Sequence, residues 1–154
     1  VTYHGPGQLV AYPIRRVQRN VLAHVLALGE SAVAVAAGVG VTAELCREPL
    51  GIYVGARKLA AIGVSAQGGV TTHGLAINVT SEASAGFRRG LFHPCGQVGG
   101  QVTSLAEERA DGVTLPTVAG LVEPLARALC RAFGWPEVAV ASEAPSLDAL
   151  SIDR

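Results

Sequence analysis

Residues 57–79 read RKLAAIGVSAQGGVTTHGLAINV. Two runs with strand character, Lys58 to Val64 and Val70 to Val79, are separated there by Gln67-Gly68-Gly69. A third run, Gly51 to Val54, precedes them across Gly55-Ala56, and the three together predict an antiparallel meander. By the two-residue strand period His73, Leu75, Ile77 and Val79 share one face, and Thr72, Gly74, Ala76 and Asn78 the other. Lys58 has the parity of Ala60, Ile62 and Val64. In regular strands both His73 and Lys58 would stand on the more apolar face.

Before the meander, Gly5-Pro6-Gly7 reads as a loop whose backbone lies close to a neighbouring strand or a ligand. Gln8 to Tyr12 follows as a short strand. Val17, Val21, Val25 and Leu28 then recur with a helical period that extends to Ala37, where Gly38 and Gly40 end it. After the meander, a loop from Thr80 to Gly90 leads to His93-Pro94-Cys95-Gly96 and a glycine-rich turn ending at Val102. Ser104 with Glu107 matches a capping box and predicts a helix start. A second helical pattern, from Val118 to Phe133, ends at Gly134, with Pro124 as a kink or a break. Residues 1–135 read as one domain and 136–154 as a mobile C-terminal tail.

With 154 residues, 49% of them hydrophobic, the chain supports a single core. Lys+Arg and Asp+Glu stand at 12 each, so no global field favours nucleic acid or an anionic membrane as partner. The hydrophobic residues, largely Ala and Val, are scattered between Gly and charged residues, and no run is expected to approach the roughly 18 apolar residues of a membrane span. The first residues carry no signal-peptide pattern, which makes a cytoplasmic location the expectation. Cys46, Cys95 and Cys130 are odd in number and lack a C-x-x-C spacing, against a disulfide framework or a structural zinc. Any thiol chemistry rests on one cysteine.

Cys95 is the candidate nucleophile. Pro94 fixes the backbone on one side, Gly96 leaves room for an acyl group on the other, and nearby amides could receive an oxyanion. Cys46 and Cys130 read as structural. Lys58 is the sole lysine, the other eleven cations being arginine. A lysine on an apolar strand face loses favour for its charge through desolvation, the property wanted of a thiol's acid/base partner; the plainer alternative is an exposed edge lysine. His4 and His73 are candidates to hydrogen-bond a substrate carbonyl or to orient Lys58. His93, two residues before Cys95 across a proline, is poorly placed for a dyad, and His24 reads as structural or exposed. Neither Gly5-Pro6-Gly7 nor Gly99-Gly100 belongs to a phosphate-loop pattern.

Five segments, taken in order and spacing, resemble the lipoyl(octanoyl) transferase family: Thr2 to Gln8, Arg57 to Gly63, His73 to Val79, Pro94-Cys95-Gly96 and Val102 to Leu105. The resemblance covers about Val1 to Trp135. It implies the α/β fold of the biotin/lipoate protein ligase catalytic-domain superfamily, a mixed sheet with helices packed on it. The family's domain normally begins well before the Tyr-His-Gly-Pro-Gly motif, so the chain is expected to lack its N-terminal part. Gly68 stands where the family usually has arginine, and Gln97 where it has an aliphatic residue.

The resemblance also implies chemistry. Cys95 would attack octanoyl-acyl carrier protein, Lys58 would take the thiol proton, and the octanoyl group would pass to a lysine of a lipoyl domain. Acceptors would be the lipoyl domains of 2-oxoacid dehydrogenases and the glycine cleavage H protein. His4, Gly5, His73, Gly74 and Gly96 would contact the substrate, with no metal or cofactor required. Two other readings compete: an ATP-dependent lipoate- or biotin-protein ligase, and a non-catalytic homologue that only binds carrier or lipoyl domains.

Overall fold

Two-residue turns fold the middle of the chain back on itself. The computed structural model describes residues 4–17, 20–88 and 101–136. Along the chain run β1 (Gln8–Ala11), α1 (Val21–Gly38), β2 (Glu44–Arg47), β3 (Leu50–Val54), β4 (Arg57–Gln67), β5 (Val70–Asn78), α2 (Ser81–Arg88), α3 (Leu105–Glu108) and α4 (Val122–Phe133). The strands form one sheet in the order β1-β5-β4-β3-β2, each neighbouring pair antiparallel. At the β4–β5 turn Gly68 and Gly69 have φ of 57° and 76°; two left-handed residues make a type I′ turn, whose twist suits a hairpin. A parallel bridge between Lys58 and Val102 makes the sheet mixed at one point.

Helices α1 and α4 pack together on one face of the sheet. Leu28, Val35 and Ala36 of α1 and Leu125 and Leu129 of α4 meet Ile52, Ile62, Leu75 and Ile77 of the sheet in one buried cluster. Each large apolar side chain there contributes about 1.5–3 kcal/mol by leaving water.

The expected meander is present, and β2 extends it by a strand that sequence reading missed. The first helix starts at Val21 rather than Val17, because Asn20 caps it by accepting from the Ala23 amide at 2.9 Å. Val17 is buried, but its N–H goes to Gly69 O at 2.7 Å and keeps it in an extended segment.

The expectation that no segment approaches a membrane span is corrected by α1: at 18 residues and a mean hydropathy of 1.7, it is long and apolar enough by composition alone. Its Ala and Val content raises the index, but the buried side packs on the sheet and α4, as in the core helix of a globular domain.

Pro124 neither kinks nor breaks α4. It sits in the first turn, where its missing N–H would have no partner within the helix. Gly134 ends α4 with φ 65°, and Trp135 N–H reaches Cys130 O at 2.8 Å. The helix predicted at Ser104 is a single turn, and Ser104 Oγ bonds Glu107 Oε2 at 2.8 Å rather than a backbone amide. From residue 137 onward the tail lies outside the described residues.

Candidate active site

A register shift in the β3–β4 ladder decides where Lys58 points. Ile52 is opposite Ala60, but Tyr53 is opposite Lys58, so Leu59 is an extra residue in β4. Cross-strand partners share a face, which puts Lys58 with Tyr53 and Gly51, away from the fully buried Ile52. The face predicted from regular alternation is thus corrected by the bulge. Of the two readings left open, a buried lysine and an exposed edge lysine, the structure has the buried one, at 5% exposure.

Gly51 makes the space for this side chain: a Cβ there would lie 2.6 Å from Lys58 Cε and 2.9 Å from Ala60 O. Lys58 Nζ donates to Leu50 O at 3.0 Å and lies 5.7 Å from the Tyr53 ring centroid. The Lys58 backbone is held on its other side by residues 101–103: its N–H donates to Gln101 O at 2.8 Å, and its carbonyl accepts from Thr103 N at 3.0 Å.

His4, His73 and Gly74 line one pocket of about 430 Å³ together with Tyr12, Ala61 and Gly63. That volume lies within the roughly 300–1,000 Å³ of small-molecule sites. Small residues occupy the paired positions Gly63–Gly74 and Ala61–Ala76: Gly63 leaves open space, while Gly74 admits the Ala11 carbonyl, which a Cβ there would meet. His73 departs from the predicted apolar face: it is exposed, with φ 64°, so regular strand geometry fails at that residue. Its ring meets Tyr12 edge-on at 6.1 Å.

A chain of hydrogen bonds fixes the roles of the polar groups beside this pocket. Asn78 Nδ2 donates to Thr103 O at 3.0 Å, so Asn78 Oδ1 accepts, and it does so from Gln8 Nε2 at 2.9 Å. Gln8 Oε1 therefore accepts from the Gly5 amide at 3.3 Å and from His4 Nδ1 at 3.2 Å. Neutral His4 must carry its proton on Nδ1 and accept the Tyr12 hydroxyl at Nε2, 2.9 Å away. The network ties the pocket to residue 103, which is also paired with Lys58. Tyr12, Tyr53 and Asn78 were missed by sequence reasoning. A polar Asn78 in a buried strand was the available signal.

Next to Lys58, Arg57 forms a two-pronged pair with Glu108 at 2.6 and 2.7 Å, and Thr103 Oγ1 donates to the same carboxylate at 2.6 Å. The Arg57 hydrogen bond is the main cause that holds the Glu108 carboxyl below its ordinary range, and the carboxylate raises Arg57 in return. These contacts fasten the short α3 to the start of β4. His24 is buried and stacked on Phe133 at 5.0 Å, in agreement with a structural reading. Cys46 Sγ bonds Glu48 O at 3.2 Å, and Cys130 is buried. Cys95, Gly96 and His93 lie outside the described residues. Among the described residues no group of three or more His, Cys, Asp or Glu could hold a metal.

The lipoyl protein ligase A/B catalytic domain family matches residues 1–124. The chain belongs to this family. Within it, an octanoyltransferase of Chloroflexus aggregans is 45% identical over 139 residues, covering 86% of this chain and 60% of the relative. An octanoyltransferase of Xylella fastidiosa is 36% identical over 133 residues, covering 84% and 57%. The chain therefore spans less than two thirds of these relatives' length. A protein of Thermoplasma acidophilum studied as a lipoate protein ligase, with bound lipoic acid, matches 91% of this chain and 58% of its own, with a TM-score of 0.62 and 16% identity. The likeness to that protein is one of fold.

Proposed function

We propose that this protein is a lipoyl(octanoyl) transferase that moves an octanoyl group from octanoyl-acyl carrier protein to a lysine of a lipoyl domain. The observation that carries the reading is its 36–46% identity to octanoyltransferases of several bacteria. The buried Lys58 supports it, because its backbone pairs with Gln101, six positions after Cys95 in sequence.

The Cys95 thiol passes its proton to Lys58, and the thiolate attacks the donor's thioester carbonyl. The bond from carbonyl carbon to the carrier's sulfur breaks, and the carrier thiol leaves with a proton from Lys58. The acceptor lysine amine then attacks the octanoyl-S-Cys95 thioester, gives up a proton to Lys58, and releases the Cys95 thiol as the amide forms. Amides near Gly96 hold the oxyanion in both steps. The pocket of Ala61, Gly63, Gly74, His4 and His73 takes the acyl chain, with Gly5 held beside it through Gln8. Acceptors are the lipoyl domains of 2-oxoacid dehydrogenases and the glycine cleavage H protein, and the reaction runs in the cytoplasm. The thioester is already activated, so the reaction needs no nucleotide.

Incubation with octanoyl-acyl carrier protein, read by intact mass, should give one octanoyl adduct on the wild type and none on Cys95→Ser. An adduct that persists on Cys95→Ser, or a folded wild type that never acylates, contradicts the proposal.

A further inference from the structure

The acyl pocket runs along the sheet from the Lys58 end of β4 toward a wall. Because the bulge at Leu59 reverses parity, Lys58 lies on the same face as the pocket residues Ala61 and Gly63. Lys58 stands one ladder step before Ala60, and three further steps lead from Ala60, opposite Ile77, to Gly63, opposite Gly74. At roughly 3.3 Å per residue that is about 13 Å along the sheet.

At the level of Gly63 the segment after β1 crosses this face. Gly74 admits the Ala11 carbonyl there, and a Cβ on it would also lie 3.0 Å from Pro13 Cδ. Tyr12, between those two residues, lines the pocket beside Gly63, His73 and Gly74.

Although Tyr12 is 49% exposed, its ring is fixed by three contacts. The hydroxyl donates to His4 Nε2 at 2.9 Å, and the ring stands edge-on to His4 at 6.2 Å and to His73 at 6.1 Å between centroids. Behind His4, Gln8 and Asn78 carry the hydrogen bonds back to the Thr103 carbonyl. His73 meets Tyr12 from a φ of 64°, a strained conformation for a residue with a side chain, which persists only where its surroundings hold it. Gly63 is unconstrained by comparison: no heavy atom lies within 4 Å of where its Cβ would stand, so the floor next to the ring is open.

We propose that the Tyr12 ring is the wall that sets the length of acyl chain this protein accepts, with Gly63 as the open floor before it. The inference rests on the transferase reading and names the feature that selects its substrate. Carbon–carbon bonds of about 1.5 Å in a zigzag advance roughly 1.25 Å each, so an extended octanoyl chain reaches about 9 Å from its carbonyl carbon to its methyl. With the reacting groups about 3 Å from the Lys58 amine, the methyl comes to rest at Gly63 against Tyr12. A decanoyl chain runs into the ring.

The test offers hexanoyl-, octanoyl- and decanoyl-acyl carrier protein separately to the whole protein and reads the rate of adduct formation by intact mass. Wild type should take octanoyl about tenfold or more faster than decanoyl, the discrimination that ill-fitting methylene groups bring, and Tyr12→Ala should bring the two rates within about threefold. Tyr12→Phe, which keeps the ring between the imidazoles, should retain the wild-type ratio. Gly63→Val, whose added atoms enter open space, should move the preference the other way and favour hexanoyl over octanoyl by about tenfold. General damage to the fold lowers every rate together, whereas opposite shifts in length preference require a wall and a floor. Gly63→Val decides the matter if Tyr12→Ala does not fold. A wild type that takes decanoyl as fast as octanoyl, the same ratio in wild type and Tyr12→Ala, or an unshifted preference in Gly63→Val overturns the wall and leaves the transferase reading standing. A folded wild type that acylates from none of the donors overturns that reading and the wall with it.

Discussion

Lys58 depends on a residue with no side chain. Gly51 leaves the slot through which the lysine reaches Leu50 O, and a methyl group there would meet both Lys58 Cε and Ala60 O. Gly51→Ala should destabilise the fold by about 1–3 kcal/mol, as overpacking of a closed site does, and should slow acyl transfer by displacing the amine. Urea unfolding and single-turnover rates check the two effects. His24 gives a second prediction at this scale. Its pKa is lowered from 6.5 in the fold, so below about that pH the unfolded chain binds a proton that the folded chain does not. Stability should fall as pH drops through 6.5 toward the folded-state value and be insensitive to His24 above it, and His24→Phe should flatten that decline in a series of thermal melts. Neither the face of Lys58 nor its burial followed from its parity with Ala60, Ile62 and Val64, because it lies on the opposite face from Ala60. A one-residue bulge at Leu59 reverses parity, and nothing in the local sequence announces it. The positive φ of His73 defeats the alternation rule in the same way.

Among the elements, the hairpins were the most legible, because Gly55 and Gly68-Gly69 carry the φ values their two-residue turns require. β2 escaped notice because Glu44-Leu45-Cys46-Arg47 is short and half polar, and only its pairing with β3 makes it a strand. Coupling between elements was hidden for a related reason: Arg57 and Glu108 are 51 positions apart, and only the fold brings them together. That pair fastens α3 and Thr103 to the strand that carries Lys58. Glu108 is held below its ordinary 4.5, so the clamp contributes stability above that pH and loses it as pH falls through and below 4.5. Glu108→Gln should remove this part of the acid dependence, as acid titration followed by circular dichroism would show. An unchanged acid limb would contradict the clamp.

For the whole molecule, one face of the sheet carries α1 and α4, while Gly63 and Ala61 keep room at a pocket bordered by His4, Tyr12 and His73, and Gly74 lets the Ala11 carbonyl approach the sheet. Family membership follows from the match over residues 1–124, and the motif resemblance had pointed to the same family. The proposed transfer mechanism, which pairs Lys58 with Cys95, is tested most directly by following the acyl group through both steps. Wild type, Cys95→Ser and Lys58→Met are each mixed with octanoyl-acyl carrier protein, then with an unmodified lipoyl domain, and both proteins are weighed over time. The account predicts that octanoyl mass appears first on wild type and then on the lipoyl domain, that Cys95→Ser carries none, and that Lys58→Met, still folded, is slower by about 10²–10⁴-fold. Transfer to the lipoyl domain by Cys95→Ser or by Lys58→Met at the wild-type rate would contradict it.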